Sequence, residues 1–181
     1  MSSLLTLRTA VVAGIKTLLP AVKTVLEYDG QFDNEELARH SIAAPAVLVA
    51  IAGVPKVEIA SDGSLCTVRM VAFVLTRETP AVKRGAAALA IVNTLLHGIQ
   101  EQQWGLGDVN TPKGVRGESL YDRQIDQKGT ALWGVAWEQN LTLGTVDPAT
   151  LAVFATFNAD YDLAPVDGVI AATDKPTGLD Q

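Results

Sequence analysis

The chain has 181 residues, of which 48% are hydrophobic and 19% charged, with one cysteine and a net charge of −6. That length fits one domain plus an extension, with enough apolar side chain to form a core without disulfides or metals. A single cysteine excludes an intrachain disulfide and an all-cysteine metal site, and the acidic balance argues against sequence-independent binding to nucleic acid, which works by neutralising phosphates.

In chain order, residues 4–19 read as an amphipathic helix. Leu4, Leu7, Val11, Ile15 and Leu18 recur at helical spacing, Ser2 or Ser3 can cap the start, and Pro20 stops it. The stretch before and within this helix lacks a basic leader, and no run approaches the roughly 20 apolar residues of a membrane span. A soluble protein made inside the cell is the expectation. Residues 21–28 carry β-branched Val22, Thr24 and Val25 and end at the turn pair Asp29-Gly30, which predicts a strand.

Asp33-Asn34-Glu35-Glu36-Leu37 has the look of a helix start, with a capping side chain followed by first-turn carboxylates. Pro45 ends that segment, and the continuously apolar residues 46–52 suit a central strand covered on both faces. Ser61-Asp62-Gly63-Ser64 is a turn. The strand expected over 65–77 places Cys66, Val68, Met70, Ala72 and Val74 on one face. Thr67, Arg69, Val71, Phe73, Leu75 and Arg77 lie on the other.

Thr79-Pro80 predicts the opening of a second long helix, with Thr79 as cap and Val82, Ala86, Leu89, Val92, Leu96 and Ile99 as its buried stripe. It stops near Trp104-Gly105, and a glycine-rich loop that folds back follows to Gly117. Residues 115–125 and 130–143 read as two strands joined at 126–129, with Ala131, Trp133, Val135 and Trp137 on a common face. The order of elements predicts an α+β fold: a single mixed, mostly antiparallel sheet flanked by two long helices.

Charge marks a boundary at residue 144. Residues 1–144 hold 14 acids and 13 bases, whereas 145–181 hold six acids and only Lys175. The final segment also carries Leu151, Phe154, Phe157, Tyr161 and Ile170, interrupted by Pro148, Pro165 and Pro176. Acidic and apolar together, it reads as an extended C-terminal arm that lies on a surface, its own core or a neighbouring subunit.

Catalytic signatures do not emerge. His40 and His97 read as helix-end or surface residues, and neither forms a recognisable motif with Cys66 or a serine. Cys66 sits in a strand-like run, where a buried inert thiol is the default. Asp29, Asp33, Glu35 and Glu36 are the best metal candidates, but they miss the EF-hand spacing and capping explains two of them. Gly105-Leu106-Gly107-Asp108 follows a helix rather than a strand, the wrong order for a phosphate loop. Arg116, Glu118, Asp122, Arg123 and Asp126 alternate in sign and read either as a solvated strand face or as an interface whose register is set by charge. The sequence thus assigns no catalytic, cofactor or metal residue.

Taken together, the segments "LLPAVKTVLEYDGQF" (18–32), "APAVLVAIAGV" (44–54), "VRMVAFVLTRE" (68–78), "AAALAIVNTLLHGI" (86–99), "LWGVAWEQNLTLG" (132–144) and "ADYDLAPVDG" (159–168) resemble the tail-terminator family of Mu-like phages and prophages. The resemblance is one of segment order and character across most of the chain. It implies a six-membered ring at the head-proximal end of the virion's tail, assembled in the bacterial cytoplasm. Such a ring stacks on the last ring of the tail tube protein, stops its polymerisation and offers its other face to head–neck connector proteins. Head-to-tail stacking otherwise grows an open filament.

The resemblance further implies that the arm from Thr145 reaches over a neighbour, and that the loops 61–64 and 105–114 contact adjoining rings. The residues expected at interfaces are Arg69, Arg77, Arg116, Arg123, Trp104, Phe154, Phe157, Tyr161 and Asp162. No cofactor, membrane or nucleic-acid sequence enters this reading. The alternatives are another neck or tail-completion protein and, in a different class, a small hydrolase or ligand-binding domain.

Overall fold

The computed structural model describes residues 2–29, 43–60, 63–120, 129–144, 159–161 and 172–174. The chain divides into two units, Met1–Gly144 and Thr145–Gln181. The first holds helix α1 (Leu4–Leu18), strands β1 (Thr24–Glu27), β2 (Ala46–Ala60) and β3 (Gly63–Arg77), helix α2 (Arg84–Gly98), and strands β4 (Lys113–Ser119) and β5 (Thr130–Leu143). In the second unit, β6 (Ala159–Tyr161) pairs antiparallel with β7 (Ala172–Asp174). The arm expected there lies otherwise outside the described residues.

The first unit is an α+β fold built on one five-stranded mixed sheet in the order β1-β2-β3-β5-β4. Only β1 and β2 run parallel; the other three pairings are antiparallel. The longest ladder joins β3 to β5 without interruption, from Ser64 opposite Leu143 to Arg77 opposite Thr130. Between β2 and β3 the register shifts twice, at Ile51/Gly53 and Gly53/Lys56. Pro55 lies in this stretch, where a residue without an N–H is tolerated because the ladder is already broken.

Both helices serve one face of the sheet. Ser3 caps α1, its hydroxyl accepting from the Thr6 N–H at 3.0 Å, and Leu7, Val11, Val12 and Ile15 turn inward. They share one core with Val47 and Val49 of β2, Val68, Met70 and Val74 of β3, and Val135 and Trp137 of β5, with α2 lying over β3 and β5. Close approach of the helices uses glycine. A Cβ on Gly98 of α2 would stand 2.9 Å from Leu18 Cδ2, so the absent side chain is what admits Leu18. Trp133 also packs on this core, so the two tryptophans share a face as the alternation implied.

The second helix departs from expectation at its start. Thr79 does not cap it; its hydroxyl accepts from the Val82 N–H at 3.1 Å and closes a separate turn. The helix opens at Arg84 instead, with Lys83 at the cap position and no side-chain cap bond. Its phase moves accordingly. Ala88, Val92, Leu95 and Ile99 are buried, while Val82 and Leu89 stand about half exposed. The helix expected near residues 33–37 lies outside the described residues.

Candidate assembly surface

The face of the sheet turned away from the helices changes character along the strands. At one end Tyr28, Leu48, Leu75 and Leu132 are buried together with Phe73 and Leu120 packed on them. Tyr28 meets Phe73 edge-on, ring centroids 6.3 Å apart. Farther along, the same face turns polar. Lys113 lies opposite Glu138, and Glu138 opposite Arg69.

Three oppositely charged pairs lie close together here. Arg69 Nη2 stands 3.3 Å from Glu138 Oε1, Arg116 Nε 3.5 Å from Glu118 Oε1, and Lys56 Nζ 2.8 Å from Glu58 Oε1. All six side chains are at least 40% exposed, so these pairs contribute little to stability. One row on, Thr67 donates to Asn140 Oδ1 at 3.0 Å. Thr67, Asn110, Thr111, Lys113, Glu138 and Asn140 line a shallow polar depression of about 220 Å³.

Beyond Val49, β2 has no partner strand on its outer side among the described residues, because β1 covers only Ala46 to Val49. The uncovered stretch carries Val57, 59% exposed, and Ile59, 96% exposed. On the opposite flank, β4 is the last strand of the sheet. Its residues Lys113, Arg116 and Glu118 are exposed. Among the described residues, the sheet thus presents an open strand edge on each flank, the far half of β2 and β4.

The loop after α2 is held to β5 by one buried side chain. Gln139 is 1% exposed. Its oxygen accepts from the indole N–H of Trp104 at 2.8 Å and of Trp137 at 3.3 Å. Its nitrogen donates to the carbonyls of Gln102 at 2.9 Å and Asn110 at 2.6 Å. Trp104 and Gly105 turn the chain back at φ 58° and 74°, with glycine at the more open of the two. Val109 then bridges Leu141, and Asp108 accepts from the backbone N–H and hydroxyl of Ser2 at 2.5 and 2.6 Å.

These bonds, that of the Ser2 hydroxyl first, hold the Asp108 carboxyl below the usual carboxylate range. Glu27 is lowered too, chiefly by the hydroxyl of Thr9, with Arg8 adding to it. Both are therefore charged and already engaged, the opposite of a general acid whose pKa is raised by burial. Arg8 ties α1 to the end of β1 through Glu27 at 2.9 Å and through Asp29. Among the described residues no group of three or more His, Cys, Asp or Glu side chains could hold a metal ion, and no helix is long and apolar enough to cross a membrane. Cys66 is buried and His97 exposed.

Of the residues expected at interfaces, Arg69, Arg77 and Arg116 are exposed; Arg69 and Arg116 border the polar part of the sheet, whereas Arg77 ends β3 beyond the apolar group of Leu75 and Leu132. Trp104 is not available: it is 9% exposed, tilted against Trp137 with ring centroids 6.3 Å apart and bonded to Gln139, so its surface is already enclosed by its own chain. The loop 105–114, read from sequence as free to reach an adjoining ring, is fastened to β5 through Val109 and Asn110. Tyr161 lies in β6, where only backbone pairing is described. Arg123, Phe154, Phe157 and Asp162 lie outside the described residues.

The sequence reading missed the second half of β2, and with it Lys56, Val57, Glu58 and Ile59. The signal was present: 56–59 alternate charged and β-branched side chains, but Gly53 and Pro55 interrupt the run before them. No protein-family model matches the chain, and no curated protein matches it.

Proposed function

We propose that this chain is a structural assembly protein, a ring-forming terminator of a phage tail tube. One observation carries the assembly reading: among the described residues, a single subunit has two uncovered strand edges on opposite flanks of one sheet, bordering a charged half-face with alternating signs. Edges at opposite flanks favour a heterologous contact, which closes a ring when the rotation between successive copies divides a full turn. The tail-terminator assignment within that class is supported by the order and character of the segments from residue 18 to residue 168.

In this reading the chain binds further copies of itself, the tube protein on one side and neck connectors on the other, and it has no catalytic task. The acidic, apolar segment 145–181 extends as an arm over a neighbouring subunit. The ring would cap the tube at its head-proximal end and present a face that does not propagate stacking.

The test is native mass by light scattering on a sizing column, with negative-stain images of the same fractions, repeated after adding purified tail tubes. A discrete multimer of about six chains with a central hole, or subunits bound only at tube ends, is the expected result. A monomer indifferent to tubes would refute the reading.

A further inference from the structure

We infer that the free edge of β2, residues 53–60, pairs antiparallel with the β4 edge of a second copy of this chain. The inference rests on the self-assembly reading and names the contact that would close it. Four independent features of the two edges agree.

The first is which backbone groups are free. Leu120 donates its N–H to the carbonyl of Leu132, so the even-numbered residues of β5 point their backbone groups toward β4 and the odd-numbered ones toward β3. Because these groups alternate along each strand, the β3–β5 and β2–β3 registers then direct Val57 and Ile59 outward from β2. The β4–β5 register likewise directs Val115 and Gly117 outward from β4. A ladder joining Val57 to Gly117 and Ile59 to Val115 therefore uses four residues whose backbone groups all face the partner.

The second is charge. That register places Lys56 opposite Glu118 and Glu58 opposite Arg116, so both cross-strand pairs are opposite in sign. The third is facing. Lys56 lies in the row of Thr67, and Arg116 in the row of Ala136 and Val71, all on the side away from the helices. Ile59 and Val115 both lie on the helix side, where Val115 already packs against the core. Ile59, the most exposed large apolar side chain among the described residues at 96%, would gain an apolar neighbour there.

The fourth is direction. Successive antiparallel pairings leave β2 and β4 running oppositely within one subunit. Copies repeated without inversion therefore present β4 antiparallel to the next β2. The β1 strand blocks the beginning of β2, which displaces the copies along the strands. Lys56 shares a row with Thr67 and Glu118 with Phe73, a stagger of six residues. At ~3.3 Å per residue this is about 20 Å, so the strands run tilted across the assembly, as they do in a barrel.

A two-fold contact of β2 with β2 is the nearest rival, because Lys56 and Glu58 would also pair across it. That arrangement sets Ile59 against Pro55, which has no N–H to donate, and it leaves β4 uncovered. The head-to-tail contact covers both edges, the general remedy for exposed strand edges.

The test uses charge reversal in the full-length chain. K56E/E58K keeps every pair opposite in sign in the two-fold contact but makes both pairs like-charged against β4. The expectation is that K56E/E58K and R116E/E118R each weaken the multimer at least tenfold by light scattering, while the protein carrying all four substitutions regains it. Thermal melts of the three variants should match the parent at dilutions where all are monomeric, since all four side chains are exposed. A multimer unmoved by K56E/E58K overturns the edge pairing while leaving the ring intact. Failure of the fourfold variant to recover also overturns it. A parent protein that stays monomeric with and without tail tubes overturns both this contact and the proposed function.

Discussion

The indole N–H of Trp104 reaches across 35 residues to Gln139 Oε1 at 2.8 Å, joining the loop after α2 to β5 inside the core. The same oxygen also accepts from Trp137, and the amide nitrogen of Gln139 serves two backbone carbonyls. A buried polar group is costly unless satisfied, and this one satisfies four others while being satisfied itself.

Gln139→Leu should therefore be among the most damaging single substitutions in the chain. It strands two indole donors and two carbonyls, each worth about 1–3 kcal/mol when buried without a partner. Allowing for relaxation, a loss of ~3–5 kcal/mol is expected in urea titration followed by tryptophan fluorescence. Gln139→Glu should be no better near neutral pH, because a carboxylate accepts from the indoles but cannot donate to Gln102 and Asn110. A loss under about 1 kcal/mol for the leucine variant would mean that water takes over the amide's bonds.

Two glycines on the helices should respond with opposite sign. A Cβ on Gly14 would stand 2.4 Å from Trp104 Cε3, inside any real contact. Gly14→Ala should destabilise by ~1–3 kcal/mol through overpacking, despite the gain in helix propensity of up to ~1 kcal/mol. Gly85, in the first turn of α2, has nothing within 4 Å of its would-be Cβ, so Gly85→Ala should stabilise by a few tenths to ~1 kcal/mol. Thermal melting of the two variants side by side checks both signs.

Much of this fold was legible because its strongest elements repeat one pattern over many residues. The alternation over 65–77 separated the two faces of β3 correctly, and the strand read over 130–143 matches β5 at both ends. The start of α2 was misread because Thr79-Pro80 makes as good a turn as a cap, and only the bond from the Val82 N–H decides between them. The far half of β2 was lost because its pairing with β3 survives two register shifts that the sequence shows only as Gly53 and Pro55. Exposure of Arg69 and Arg116 could be read from alternation. Burial of Trp104 could not, since it depends on Gln139, a polar residue on an otherwise apolar face.

Acid should loosen the N-terminal attachment. Asp108 and Glu27 have folded pKa values below their unfolded ones. Each therefore contributes stability that is present above the usual carboxylate pKa and is lost as pH falls through the lowered folded value. Melting temperature should fall below about pH 4, and Asp108→Asn should flatten part of that slope while lowering stability at neutral pH. Thr9→Val should do the same for the Glu27 share. An unchanged slope in Asp108→Asn would show that the bonds from Ser2 do not persist in solution.

The charged half-face offers a way to separate folding from assembly. Arg69 and Glu138 are 46% and 40% exposed, and a pair in that setting is worth at most about 1 kcal/mol. Arg69→Ala and Glu138→Ala should each move the melting midpoint by no more than a few degrees. If this face meets another ring or tube, the same substitutions should alter the salt dependence of assembly or of tube-end binding, because exposed charges act mainly on association.

Removal of residues 145–181 tests where the acidic segment belongs. Met1–Gly144 forms one unit containing the whole five-stranded sheet and both helices. The truncated chain should melt cooperatively within a few degrees of the parent. It should also lose five of the six net negative charges, since that segment holds six acids and one base. If the segment reaches over a neighbour, truncation should lower the multimer's stability to dilution without changing the fold of the subunit. A broad, non-cooperative melt of residues 1–144 would instead assign Phe154, Phe157 and their apolar neighbours to the subunit's own core. Melting measured at dilutions where the parent is monomeric, with native mass measured at concentrations where it assembles, distinguishes the two, because a trans contact raises melting only where the multimer forms.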